Sequence, residues 1–269
     1  MVRKLFKHEC IAYGRVMLPI YAILAAFAIV GRIIQIFEVD TIAYNILNGS
    51  VIAGFVIGCV FVLGFGTIFG VIRFYRNLFT GEGYLSFTLP VTPTQHLLVK
   101  SCTAVMFQLI TLVVILLSCS IYTAGDVATE LGKAFAYLYN QVFGELGIHL
   151  PVVLAEIFLL TIATAFAEYA SYYLCIAIGQ LANKNRVLAA IGVYVGFTIA
   201  GQTLGTILTV LLTVLETNIP VDAIFTWIEQ HPYLFIHGAF GVMLLLSAGA
   251  AWLYLGITRF IIRRKLNLE

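Results

Sequence analysis

Charged side chains are scarce in this chain. Lysine, arginine, aspartate and glutamate make up 10% of its 269 residues, whereas ordinary soluble domains carry roughly 25%. A soluble fold of this length needs a polar surface, and so few charges cannot cover it. Hydrophobic residues instead reach 61%, with a mean hydropathy of +1.02. The composition therefore excludes a soluble domain and predicts a chain that meets lipid over much of its surface.

Motifs for binding nucleotides, metals or disulfide partners are also missing. The chain has no GxxxxGK[ST] sequence, so it lacks the loop that cradles nucleotide phosphates. The five cysteines form no CxxC pair, and the five histidines show no spacing typical of a metal site. We expect no catalytic residues, no metal and no cofactor on this chain, so energy for any work must come from a partner or a gradient.

Long apolar runs are abundant. A helix that crosses a bilayer needs about 20 mostly apolar residues, and six segments have that length. This indicates an all-α polytopic membrane protein that folds as a single transmembrane domain over residues 1–269. The six predicted spans are Met17–Phe37, Leu47–Ile72, Ser101–Tyr122, Leu150–Ile178, Val187–Leu215 and Tyr233–Ile257.

The charges that do occur are distributed unequally between the two sides of the predicted membrane. With both termini inside, thirteen of the fifteen lysines and arginines fall in internal segments. The outer segments carry eight acids against a single lysine. Because short loops rich in Lys and Arg stay in the cytoplasm, we predict that both termini are cytoplasmic. A multi-pass membrane protein follows from the spans and the charges.

The segment before the first span, residues 2–17, is amphipathic at helical spacing, with a basic face opposite an apolar one. This pattern predicts an interfacial helix at the inner membrane surface. Glu9 departs from it by pointing into the apolar face. Either Glu9 pairs with a neighbouring Lys or Arg, or it contacts a cytoplasmic partner.

The longest internal loop, residues 73–100, combines a glycine-flanked turn with an apolar stretch that ends at Pro90. Thr92, Pro93 and Gln95 then have the signature of a capped helix start, and we predict a helix from Pro93 to Tyr122. This helix would extend below the hydrocarbon layer beside the loop. Such an arrangement suits docking of a soluble protein, although a re-entrant or interfacial element without a partner is the alternative.

Two outer segments, residues 123–149 and 216–232, each predict a short helix. Asp126 can cap the first, and the second begins at Pro220. Each helix either rests on the outer headgroups or forms a lid over a translocation path.

Polar residues inside the spans are few. In the fourth span Thr164, Glu168 and Ser171 share one stripe, and an ionised acid at that depth normally faces a cavity or a partner group. The stripe therefore predicts a substrate path or a subunit interface; a protonated Glu168 bonded to a nearby Thr, Gln108 or Gln202 is the alternative. Arg32 and Glu156 lie at similar depth, and we predict a structural ion pair between them.

The order of these segments resembles that of permease subunits of type-two ABC transporters, which have the type V exporter fold. The most specific patches are Lys7-His8-Glu9, the loop Gly81–Val91 and the tail Arg264–Glu269, which are similar to those of Firmicutes permeases encoded beside a separate ATPase. The resemblance covers nearly the whole chain but does not name a cargo.

The resemblance implies a coupling helix between spans 2 and 3 that docks on the ATPase. The docking residues would be Glu82, Gly83, Tyr84, Phe87, Leu89 and Pro90. The resemblance also implies a second permease, identical or homologous to this chain. ATP and Mg²⁺ would be held by the partner ATPase, and no nucleic acid would be involved. Export of an amphipathic or hydrophobic solute (a peptide, drug or lipid-like molecule) is the expected function; a gradient-driven transporter or channel without an ATPase is the alternative.

Overall fold

The computed structural model describes residues 2–37, 41–80, 91–139, 149–182, 184–216 and 221–265. All regular secondary structure in these ranges is helical, which confirms the predicted all-α class. Six of the helices (α1, α2, α3, α5, α6 and α8) are long and apolar enough to cross a membrane, one for each predicted span. The helices are α1 (Val2–Ile36), α2 (Ile42–Phe79), α3 (Pro93–Tyr122), α4 (Asp126–Tyr137), α5 (Leu150–Gly179), α6 (Arg186–Glu216), α7 (Val221–Gln230) and α8 (Pro232–Lys265).

Helix α3 begins and ends where the sequence predicts. The Thr92 hydroxyl accepts a hydrogen bond from the Gln95 amide at 3.4 Å, and the Gln95 side chain accepts one from the Thr92 amide at 3.0 Å. Pro93 follows the cap, where its missing N–H leaves no helical bond unmade. At 1.5 Å per residue the helix is about 45 Å long, so it exceeds a hydrocarbon layer of about 30 Å.

The separate interfacial helix predicted over residues 2–17 is instead the first half of α1, which continues through Pro19 to Ile36. The physical reason is a buried stripe that runs through both halves at spacings of three and four residues. This stripe packs against α2 and α3, so the first half of the helix has a protein surface to cover. Its members are Glu9, Tyr13, Met17, Tyr21, Leu24, Ala28 and Gly31.

The described helices divide into two compact units, of which the first is Met1–Leu138. Here α1, α2 and α3 pack against one another. The Tyr13 ring stacks on Phe107 at 4.9 Å and meets the edge of Phe69 at 5.0 Å between centroids. Two turns further along α1, the Tyr21 hydroxyl bonds to the Thr111 hydroxyl at 2.7 Å. Aromatic rings and a few satisfied hydroxyls thus hold the three helices together.

The second unit is Tyr139–Glu269, in which α5 packs against both α6 and α8. Gly179 marks a close approach of α5 and α6. A Cβ atom placed on Gly179 would lie 2.6 Å from the backbone nitrogen and the Cα of Ala190. Since backbone atoms cannot rotate away, only glycine fits at this crossing.

Two short helices lie where the sequence predicts them, although the first has a different cap. The cap of α4 is Gly125, with a φ of +91°, and not Asp126, which is the first helical residue. A left-handed residue favours glycine, and the Asp126 carboxylate still faces the positive end of the helix dipole. Helix α7 begins at Val221, and Pro220 is outside the described residues. The predicted outer location of both helices stays a prediction.

We predict that Gly179→Ala destabilises the protein, because the new methyl group would overlap the Ala190 backbone. Overpacking of this kind typically costs about 1–3 kcal/mol, so the apparent melting temperature in detergent should fall by several degrees. Gly192→Ala is the matched control, since Gly192 lies in α6 and a methyl group added there would meet nothing within 4 Å. Equal melting temperatures for the two variants would contradict the close approach.

Candidate functional site

The predicted docking residues Glu82, Gly83, Tyr84, Phe87, Leu89 and Pro90 lie outside the described residues. Their role therefore stays a prediction. The structure does describe the two helix ends that flank this loop, namely the end of α2 and the start of α3.

The end of α2 is firmly packed. Phe74 and Leu78 are each 1% exposed, and the Phe74 ring meets Phe79 edge-on at 5.6 Å between centroids. The Thr80 hydroxyl closes the helix by donating to the Arg76 carbonyl at 2.5 Å. The chain therefore leaves α2 from an anchored position.

The start of α3 is anchored too. His96 and Leu97 are buried one turn after the capping box. Lys100 follows on the next turn and is 6% exposed, which is unusual for a lysine unless it is paired. The end of α2 and the start of α3, which flank the loop, are thus both buried and capped.

Glu9 connects these two helix ends to α1. Its Oε2 accepts a hydrogen bond from Arg73 Nε of α2 at 2.6 Å, and its Oε1 accepts one from Lys100 Nζ of α3 at 2.7 Å. Asn77 Nδ2, one turn after Arg73, lies 3.5 Å from Oε1. One carboxylate therefore binds donors from two other helices, and we refer to Glu9, Arg73, Asn77 and Lys100 as the Glu9 cluster.

The Glu9 cluster lies in a low-dielectric environment. Glu9 is 5% exposed, and the side chains of Lys100 and Arg73 are 6% and 24% exposed. Burying a charge is costly unless it is paired and hydrogen-bonded, and here both carboxylate oxygens are bonded to cations. The bonds are short, as charge-assisted bonds are. Removing Glu9 would take away the carboxylate that pairs with both Arg73 and Lys100.

The sequence indicates Glu9 but not its partners. Its place on the apolar face shows that the acid is buried, and the prediction of a neighbouring Lys or Arg assumed a partner close in the chain. The actual partners are 64 and 91 residues away. The available signal was the position of the two basic residues. Arg73 directly follows the second predicted span and Lys100 directly precedes the third, both on the same side of the membrane as Glu9.

The polar stripe of α5 is present, but its members behave differently. Glu168 is exposed in the structure, and its Oε1 accepts a hydrogen bond from the Tyr172 hydroxyl at 2.5 Å. Ser171 donates to the Glu168 backbone carbonyl, and Thr164 donates to carbonyls of its own helix. The two hydroxyls are therefore satisfied locally, and Glu168 is the member that can act on a ligand.

Tyrosines surround Glu168, although the predicted stripe did not include them. The Tyr172 ring lies 5.5 Å from the Tyr194 ring of α6 and 6.1 Å from the Tyr169 ring, measured between centroids. Tyr169 and Tyr173 are buried, whereas Tyr194 is 40% exposed. The run Tyr169–Tyr173 was the available signal, because residues 168 and 172 lie on one helix face.

Glu156 has a partner within its own unit. His237 Nδ1 of α8 lies 2.7 Å from Glu156 Oε1 and 2.8 Å from Oε2. The Tyr233 ring lies 4.2 Å from the His237 ring between centroids. Arg32 donates to Gln35 at 3.3 Å within α1. Because Arg32 and Glu156 belong to different units, the ion pair predicted between them stays a prediction.

Among the described residues, no group of three or more His, Cys, Asp or Glu side chains could hold a metal ion. Comparisons with protein-family models, with curated proteins and with solved structures found no match to this chain.

We predict that Glu9→Gln lowers the stability of the protein by about 3–5 kcal/mol, because it leaves Arg73 and Lys100 without their counter-ion. The measurement is the melting temperature of the purified protein in detergent. Adding Lys100→Met to Glu9→Gln should recover part of the loss, since it removes one uncompensated charge.

The control is Glu130→Gln in α4. Glu130 pairs with Lys133 at 2.6 Å, but the two side chains are 67% and 73% exposed. An exposed pair of this kind contributes about 0–1 kcal/mol. If the Glu9→Gln and Glu130→Gln variants had the same melting temperature, the Glu9 cluster would not hold the helices together.

For Glu156 and His237 we predict coupled effects on stability. The loss for Glu156→Gln combined with His237→Gln should differ from the sum of the single losses by about 0.5–3 kcal/mol, as expected for contacting residues. Ser247→Ala in α8, about 15 Å further along the helix, should be additive with Glu156→Gln. If the stability losses were additive for Glu156 with His237 as well as for Glu156 with Ser247, a pairwise interaction between Glu156 and His237 would be excluded.

Proposed function

We propose that this chain is the transmembrane subunit of an ATP-driven ABC transporter that exports an amphipathic or hydrophobic solute. In this proposal it works in a bacterial cell membrane with both termini in the cytoplasm. A separate cytoplasmic ATPase holds ATP and Mg²⁺, and a second permease, identical or homologous, completes the translocation path. The chain itself is not an enzyme.

The observation that supports this proposal best is the Glu9 cluster. It connects α1 to Arg73, about two turns before the end of α2, and to Lys100, about two turns after the start of α3. A loop that receives force from a docked ATPase needs a rigid base; otherwise the force is lost in local bending. A buried carboxylate bonded to two helices provides that base.

Helix length supports the same function. Helices α1 and α3 have 35 and 30 residues, which is about 52 Å and 45 Å. Both exceed the roughly 30 Å of hydrocarbon, and their ends near Glu9 and Lys100 meet in the Glu9 cluster. In the proposed orientation this excess length extends toward the cytoplasm, where an ATPase would bind the loop between α2 and α3.

A gradient-driven transporter is the second candidate, and the Glu156–His237 pair favours it. Pairs of acid and histidine within membrane-spanning helices commonly form proton relays. The two candidates differ in their energy source, so dependence on ATP distinguishes them.

The test is purification of the tagged chain from its source cells in mild detergent. We expect a second protein that binds a photoreactive ATP analogue to copurify, together with vanadate-sensitive ATP hydrolysis. Glu82→Lys and Phe87→Ala should each reduce the copurified activity at least about fivefold, because they change the charge and the apolar contact of the docking loop.

Glu130→Lys is the matched control, since it reverses an exposed acid outside this loop and should leave the copurified activity unchanged. Transport of solute by the chain reconstituted alone, driven by a proton gradient, would contradict the ABC proposal and favour the second candidate. Full ATPase recovery with both loop variants would contradict docking at residues 81–90.

A further inference from the structure

Glu168 is an acid at membrane depth with one hydrogen bond and no counter-ion among the described residues of its unit. It lies eleven residues before the end of α5, or about 16 Å along the helix. Among the described residues of the unit no Lys, Arg or His comes within ion-pair distance of Glu168, and the Tyr172 hydroxyl bonds to it. Glu9 and Glu156, by contrast, both have basic partners.

The Tyr172 hydroxyl donates a hydrogen bond to one carboxylate oxygen of Glu168. The separation of 2.5 Å falls in the range of hydroxyl bonds to an anion. This bond occupies Oε1, and Oε2 has no partner among the described residues of the unit. An ionised acid at this depth costs several kcal/mol unless a cation or other polar group faces it. Glu168 therefore has a carboxylate oxygen that can pair with a cation.

The rings beside Glu168 suit an organic cation. The Tyr172 and Tyr194 rings are tilted by 52° with centroids 5.5 Å apart. A ring face attracts a cation within about 6 Å of its centroid, and the attraction grows when water is excluded. A strongly hydrated inorganic ion would demand several oxygen ligands, whereas the described side chains brought together here are one carboxylate and tyrosines.

We propose that Glu168, Tyr172 and Tyr194 form a binding site for the cationic group of an amphipathic organic solute. The carboxylate pairs with the positive charge, and the two rings cover its apolar substituents. The inference builds on the proposed function, since it names the substrate class as hydrophobic cations, such as quaternary ammonium or phosphonium compounds. Neutral and anionic solutes of the same shape would bind weakly.

The test is equilibrium binding of radiolabelled tetraphenylphosphonium to the full chain in phosphatidylcholine nanodiscs. Tetraphenylborate, an anion of the same shape, is the matched probe. We expect saturable binding of the cation, at least about tenfold weaker binding to Glu168→Gln, and no competition by the borate. Glu130→Gln, which neutralises an exposed acid of α4, should bind like the unmodified chain.

The aromatic part is tested separately, so that the proposal stays testable if Glu168→Gln does not fold. Tyr194→Leu should weaken binding about three- to fivefold, while Tyr194→Phe, which keeps the ring, should not. Equal binding by Glu168→Gln and the unmodified chain, equal binding by the two Tyr194 variants, or displacement of the probe by sodium ions would each overturn the proposal. The assay needs no ATPase, so failure of ATPase docking would leave its result unchanged.

Discussion

The buried carboxylate of Glu9 fixes how the helices of the first unit fit together. Met17, Leu24 and Ala28 could pack α1 against its neighbours in more than one register, because apolar contacts are not directional. The bonds from Arg73 and Lys100 are directional, and they are satisfied in a single register. An alternative register would break the two short bonds of the buried Glu9 carboxylate, which costs far more than a shifted apolar contact.

The two units use ionisable groups differently. In the first, the Glu9 cluster is closed in the sense that both carboxylate oxygens of Glu9 are bonded to cations. In the second, Glu168 is exposed and has one hydrogen bond, and its neighbours are tyrosines. A fully paired cluster suits the transmission of force between helices, whereas an exposed acid such as Glu168 suits reversible binding of a ligand. This contrast is consistent with a transporter that separates mechanical coupling from substrate recognition.

The sequence predicted the six long helices and the start of α3 because these depend on local information. Apolar length, a capping box and a proline act within a few residues. The partners of Glu9 and Glu156 could not be predicted in the same way, because they come from helices that lie far away in the chain. The continuity of α1 was missed for a related reason: its first half is helical with a buried face only because α2 and α3 cover Glu9, Tyr13 and Met17.

The proposed function rests on docking of the loop between α2 and α3 on an ATPase. Photo-crosslinking in the source cells probes this contact, with a benzophenone amino acid placed at Tyr84 and, as a control, at Tyr137 in α4. We expect position 84, and not position 137, to crosslink to a protein that carries a nucleotide-binding P-loop. Crosslinks from position 84 to lipid alone, with no ATPase from either position, would contradict docking and with it the proposed function.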